Sequence, residues 1–107
     1  MNHGEDDPVL EEATRRLVSE FSPSKVYLFE SRSRGDATPD SDYDFLVVLA
    51  SSDERPLRRA QKAYRALRGL GISKDVIVTT SARFDRMKTL AASLEHEVAT
   101  EGLPLYG

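Results

Sequence analysis

The stretch that decides the fold reads Val26-Tyr27-Leu28-Phe29-Glu30-Ser31-Arg32-Ser33-Arg34-Gly35-Asp36, passes through Ala37-Thr38-Pro39-Asp40-Ser41, and resumes as Asp42-Tyr43-Asp44-Phe45-Leu46-Val47-Val48-Leu49. Both ends are rich in β-branched and aromatic residues, as buried strands are. Between them lies a polar corner carrying Ser31, Arg32, Arg34 and Gly35, with Pro39 marking a loop. The second strand, expected from Asp42 to Leu49, sets Asp42, Asp44, Leu46 and Val48 on one face and Tyr43, Phe45, Val47 and Leu49 on the other. Both faces turn apolar beyond Asp44, so the strand is central and only its beginning meets solvent. Asp42 and Asp44 therefore project from one face with backbones about 6.5 to 7 Å apart. That spacing can bracket two magnesium ions held about 3.5 to 4 Å apart in a phosphoryl-transfer site.

Working outward, Asp7 followed by Pro8 opens a helix, the first as a cap for free amides and the second as a tolerated first helical residue. Val9, Ala13, Leu17 and Phe21 recur every four residues, so the helix ends near Phe21. Lys25 to Phe29 is the first strand, and residues 1–6 are expected to be disordered. Pro56 at one end and Gly69 or Gly71 at the other delimit a second helix, whose expected inner stripe is Leu57, Ala60, Tyr64 and Leu67. Lys74 to Thr80 is a third strand. Ser81 is expected to cap a helix through Phe84, Met87 and Leu90, a short helix follows from about Ser93 to Gly102, and Leu103 to Tyr106 adds an edge strand. Tyr27, Tyr43 and Tyr64 are expected in the core.

A strand-helix-strand crossover makes the second and third strands parallel. Their beginnings then share one end of the sheet, which brings Asp75 beside Asp42 and Asp44. If the first strand runs antiparallel to the second, Ser31 arrives there too. Magnesium takes hard oxygen ligands, few of them from protein, so three carboxylates suffice beside substrate phosphates. Taken singly, each acid also reads as a turn residue, an edge charge or a strand opener; their convergence favours a site. Amides at the start of a helical turn at Ser31 suit an anion, and Arg32 and Arg34 can add charge-assisted contacts.

The 107 residues fit one domain, taken as 1–107, with 39% hydrophobic and 31% charged residues. With no cysteine, disulfides, thiolate metal sites and cysteine nucleophiles are excluded. The longest apolar run is too short to span a bilayer and the amino terminus lacks the form of a signal peptide, so a cytoplasmic, non-membrane protein is expected. A net charge of −3 gives no general attraction to nucleic acid. The basic run Arg55, Arg58, Arg59, Lys62, Arg65 and Arg68 reads as a solvated helix face, and a nucleic-acid partner is not expected. His3 and His96 read as surface residues, and Tyr106 as a weak candidate for self-modification.

Glu30-Ser31-Arg32-Ser33-Arg34-Gly35 followed by Ser41-Asp42-Tyr43-Asp44 closely resembles the signature of the minimal nucleotidyltransferases of the DNA polymerase beta superfamily. The resemblance covers about Val26 to Thr80, with a similar tail from Ser93 to Tyr106. It implies an α+β fold of the polymerase beta palm type, a small mixed sheet with helices packed mainly on one face. It further implies that Asp42, Asp44 and Asp75 are catalytic and bind two Mg2+ ions, Asp75 also as a candidate base, and that Ser31, Arg32 and Arg34 bind the nucleotide. ATP would be the substrate, AMP the transferred group, and the partner a helical HEPN ribonuclease toxin for which such proteins serve as antitoxins. A homodimer is a further possibility.

One motif position departs: Glu30 stands where the family has glycine. Glycine there lets the backbone approach the phosphates. A carboxylate 4 Å from a phosphate charge costs roughly 4 kcal/mol at an effective dielectric of 20, unless it swings away or pairs with an arginine. Two functions are therefore expected in turn: an AMP transferase acting on its partner, or a catalytically impaired antitoxin or binding module that neutralises its partner by complex formation.

Overall fold

The computed structural model describes residues 7–29 and 43–107. Helix α1 (Pro8–Phe21) begins where Asp7 Oδ1 accepts hydrogen bonds from the Val9 and Leu10 amides at 3.0 and 3.1 Å. Leu10, Ala13 and Leu17 form its buried face. The helix closes at Ser22, whose left-handed backbone (φ 46°) lets its amide donate to the Val18 carbonyl.

Strands β1 (Lys25–Phe29), β2 (Tyr43–Leu49), β3 (Lys74–Thr80) and β4 (Leu103–Tyr106) form a mixed sheet in the order β3-β2-β1-β4. β1 runs antiparallel to both neighbours. β2 and β3 are parallel, joined by helix α2 (Pro56–Ala66), which is the expected crossover. Among the described residues β2 starts at Tyr43. Asp42, Glu30, Ser31, Arg32 and Arg34 lie outside them, as do His3 and the amino-terminal segment 1–6.

The pleat sorts side chains into two cores. On one face Val26, Leu28, Phe45, Val47, Val76 and Val78 pack with Leu10 and Leu17 of α1, Ala63 of α2 and Leu67 at the C-cap of α2. On the other, Phe29, Leu46 and Val48 pack with Phe84 of α3 (Ser81–Met87) and Val98 of α4 (Leu94–Glu101). Each fully buried aliphatic side chain contributes roughly 1.5 to 3 kcal/mol. The result is an α+β fold with its helical weight on one face and two short helices on the other. No helix among the described residues is long and apolar enough to cross a membrane.

Three local expectations change. Helix α2 stops at Ala66, and Gly69 and Gly71 take left-handed torsions in the turn beyond it. Its inner face consists of Ala63 and Leu67, with Ala60 and Ala66 half-buried, whereas Leu57 is 70% and Tyr64 39% exposed. Small alanines let α2 lie close against the sheet and α1, where Arg16 Nη1 donates to the Arg68 carbonyl at 2.9 Å. The larger Leu57 and Tyr64 are thereby turned outward. At α3 the cap is Thr80, whose Oγ1 accepts from the Arg83 amide at 3.4 Å, and Leu90 is exposed beyond the helix end. Ser93 caps α4 by accepting from the His96 amide at 3.0 Å. Gly102 ends α4 with an extended backbone, φ −68°; a Cβ there would sit 2.5 Å from the Val98 carbonyl oxygen.

Candidate active site

The sheet gathers acids at the end where β2 and β3 begin. Asp44 and Asp75 are partners in the parallel ladder, and Phe29, the last residue of β1, is the antiparallel partner of Asp44. Strands lie about 4.8 Å apart, and ladder partners project from the same face. That face carries Leu46, Val48 and Ile77 further along, all in the second core, so the two carboxylates sit at its open end. Asp44 is half-buried and Asp75 exposed. The carboxyl end of β1 also arrives there, as the antiparallel reading requires, although the Ser31 corner lies outside the described residues.

Two contacts fix the beginnings of these strands. The Tyr43 amide donates to the Ser73 carbonyl at 2.9 Å, which clamps β2 to the residue just before β3. The buried Tyr43 side chain donates from its hydroxyl to Asp7 Oδ2 at 2.9 Å, so the cap of α1 also anchors the mouth of the site. Tyr27 is half-buried and stacks on Phe84, with ring centroids 5.6 Å apart. Both tyrosines pack as expected; Tyr64 does not.

Tyr64 reaches from α2 over the outer edge of β3. Its hydroxyl donates to Asp75 Oδ1 at 2.8 Å and accepts from the Val76 amide at 3.2 Å. Partial burial, then the negative charges of Asp75 and Asp44, hold its phenol above the usual tyrosine range, against the Val76 amide, which lowers it. It is therefore a neutral donor at physiological pH. Arg59 works along the same edge: Nη1 donates to the Glu54 carbonyl at 2.7 Å and Nε to the Val78 carbonyl at 3.4 Å. Between them these side chains occupy edge groups that would otherwise invite strand addition. The sequence marked Tyr64 only as an apolar stripe member; its polar tip, one crossover away from Asp75, was the signal.

Beyond Tyr64 an open groove of about 730 Å³ runs along α2, lined by Leu57, Ala60, Arg65, Arg68 and Lys74 among others, none of them a carboxylate. Arg55, Arg58, Arg65 and Arg68 are exposed and Lys62 pairs with Glu54 at 2.9 Å, as a solvated face requires. His96 is held elsewhere: its Nδ1 lies 2.9 Å from the Lys88 carbonyl, within the two short helices that cover the second core. Tyr106 is on the far edge strand, paired with Val26, at the other end of β1 from Asp44.

Asp44 and Asp75 supply hard, anionic oxygens on one face at a solvent-open edge, a donor set that fits a hard divalent cation. Among the described residues no group of three potential ligands assembles; Asp42, the third acid of the expected set, lies outside them.

The nucleotidyltransferase domain family matches residues 10–99. No curated protein matches the chain. Among solved structures, a Sulfolobus solfataricus protein assigned as a nucleotidyltransferase shares 31% identity over 73% of this chain and 69% of its own, with a TM-score of 0.59. A toxin-antitoxin structure with AMP-PNP shares 25% identity over 91% of this chain and 72% of its own, with a TM-score of 0.56. A mutant of the toxin-antitoxin MntA-HpeT is similar in fold, at 20% identity over 100% of this chain and 74% of its own and a TM-score of 0.56. With the family's match spanning both acid-bearing strands and the crossover between them, the chain belongs to the nucleotidyltransferase domain family.

Proposed function

We propose that this protein, a single domain over residues 1–107, is a magnesium-dependent nucleotidyltransferase that moves AMP from ATP onto a partner protein, and that the partner is a HEPN-type ribonuclease toxin for which it is the antitoxin. The observation that carries the reading is the register of Asp44 against Asp75 at the mouth of a parallel strand pair in a chain of this family. The toxin-antitoxin neighbour bound to AMP-PNP supports the nucleotide and the partner class. The cytoplasm would be the place of action.

In this reading Asp42, Asp44 and Asp75 would hold two magnesium ions, which would supply positive charge against the phosphates. Ser31, Arg32 and Arg34 orient the triphosphate. The acceptor hydroxyl, a tyrosine on the partner, attacks the α-phosphorus of ATP and its proton passes to Asp75. The bond from the α-phosphorus to the bridging oxygen breaks, and pyrophosphate leaves with the electron pair. The chain's part is chiefly placement and electrostatics, which dominate phosphoryl-transfer catalysis. Intact mass of the partner after incubation with ATP and magnesium tests this: a gain of one AMP is expected, and an unchanged mass on a partner that binds would refute it.

A second reading rests on Glu30, a carboxylate where the motif has glycine. In that case the chain is an impaired transferase that silences its partner by occlusion, and ribonuclease activity falls on mixing without any nucleotide.

A further inference from the structure

We infer that Tyr64 is a positioning residue for Asp75, setting the carboxylate in one orientation for a divalent cation; the inference rests on the reading of Asp75 as a metal ligand. Asp75 is exposed at the start of an edge strand, where a short carboxylate would otherwise exchange among rotamers. The Tyr64 hydroxyl is itself fixed, because it accepts from the Val76 amide at 3.2 Å. With that lone pair engaged, its proton is aimed at Asp75 Oδ1, 2.8 Å away. A hydroxyl that touches two successive residues of β3 reads the strand's backbone and transmits its position to the side chain beside it.

This bond occupies one sector of Oδ1 and leaves Oδ2, with the remaining lone pair of Oδ1, open to a cation. Outer partners of this kind orient ligating carboxylates, and their loss weakens metal binding or activity by about 10 to 100-fold. Tyr64 lies on the outward side of α2, 39% exposed, with its hydroxyl held at the edge of β3. A purely structural role, an edge cap tying α2 to β3, predicts lost stability and an unaltered site. The two readings separate on metal affinity.

The test uses Tyr64→Phe, which keeps the ring, with Mn2+ as the probe. Bound Mn2+ is measured by electron paramagnetic resonance with a non-hydrolysable ATP analogue, alongside thermal unfolding of the metal-free chain. The expected result is Mn2+ binding weakened about 10 to 100-fold, with the magnesium concentration for half-maximal transfer raised in step. In an Asp75→Ala background the same substitution adds nothing, because the two residues act through one bond. Equal Mn2+ affinity in native and Tyr64→Phe chains overturns the inference, as does a full additional loss in the Asp75→Ala background. Failure of the native chain to bind Mn2+ at all instead overturns the metal reading on which it rests.

Discussion

Asp75 stands opposite Asp44 in the parallel ladder of β2 and β3, and Tyr64 donates to it from the outer side at 2.8 Å. Two carboxylates held side by side on one face, at the open end of a core, are the arrangement that the proposed metal site requires. Like charges directly opposite one another weaken strand pairing, a cost that a bound cation would offset. Strand polarity, the α2 crossover and the Tyr43 clamp on Ser73 all serve to keep that pair together.

The first consequence is a trade of stability against function. Asp75→Asn keeps an acceptor for Tyr64 and removes the repulsion with Asp44. The metal-free chain should gain roughly 0.2 to 1 kcal/mol, read as a higher urea midpoint in EDTA. Magnesium with an ATP analogue should then stabilise the native chain and not the variant. A less stable Asp75→Asn chain in EDTA would contradict the paired-charge account.

Asp7 holds both the start of α1 and the hydroxyl of Tyr43. Asp7→Ala loses a cap worth about 1 kcal/mol in addition to the tyrosine bond, whereas Tyr43→Phe loses only that bond, about 1 kcal/mol. Chemical unfolding should therefore rank Asp7→Ala as the more damaging change. The reverse order would mean that the cap geometry is not what secures the mouth of the site.

Much of this was legible in the sequence, for identifiable reasons. The Asp7-Pro8 opening and the four-residue recurrence from Val9 located α1, and the β-branched runs located β1 and β3. The crossover rule alone put Asp75 beside Asp44. What escaped was set by contacts: Leu67 of the expected stripe is buried and Ala60 half-buried, but alanine carries little hydrophobic signal, so Ala63 was missed and Leu57 and Tyr64 were set inward in its place. Thr80 and Ser81 are adjacent capping residues, and it is Thr80, still extended, whose hydroxyl accepts from the Arg83 amide.

Gly102 illustrates a position that a pattern reads correctly for another reason. It ends α4 as expected, yet through extended torsions and a close approach to Val98. Gly102→Ala should cost about 1 to 3 kcal/mol by forcing the chain away from the Val98 carbonyl. Thermal unfolding checks this, and a neutral substitution would show that the turn into β4 has room to shift.

Acid should loosen α1 in a defined window. Hydrogen bonds from Arg15 and then Arg16 hold the Glu12 carboxyl well below its ordinary 4.5, at about 2. A depressed carboxylate contributes stability above its unfolded value and loses it as the pH falls from about 4.5 toward 2. Glu12 is solvent-accessible, so the effect is modest and salt-screened. Unfolding midpoints of Glu12→Gln should fall less steeply than native across that window at low salt, and identical slopes would count against the arginine pairing.

Label followed from ATP labelled at the α-phosphate, with magnesium, onto the proposed partner protein tests the transferase most directly, with native, Asp44→Ala and Glu30→Gly chains run in parallel. Label is expected on the partner with the native chain, none with Asp44→Ala, and at least as much with Glu30→Gly, whose loss of a negative charge should tighten ATP binding by up to roughly 1,000-fold if the full 4 kcal/mol is relieved. Label that persists with Asp44→Ala, or that appears only with Glu30→Gly while the native chain binds and silences the partner, would contradict it.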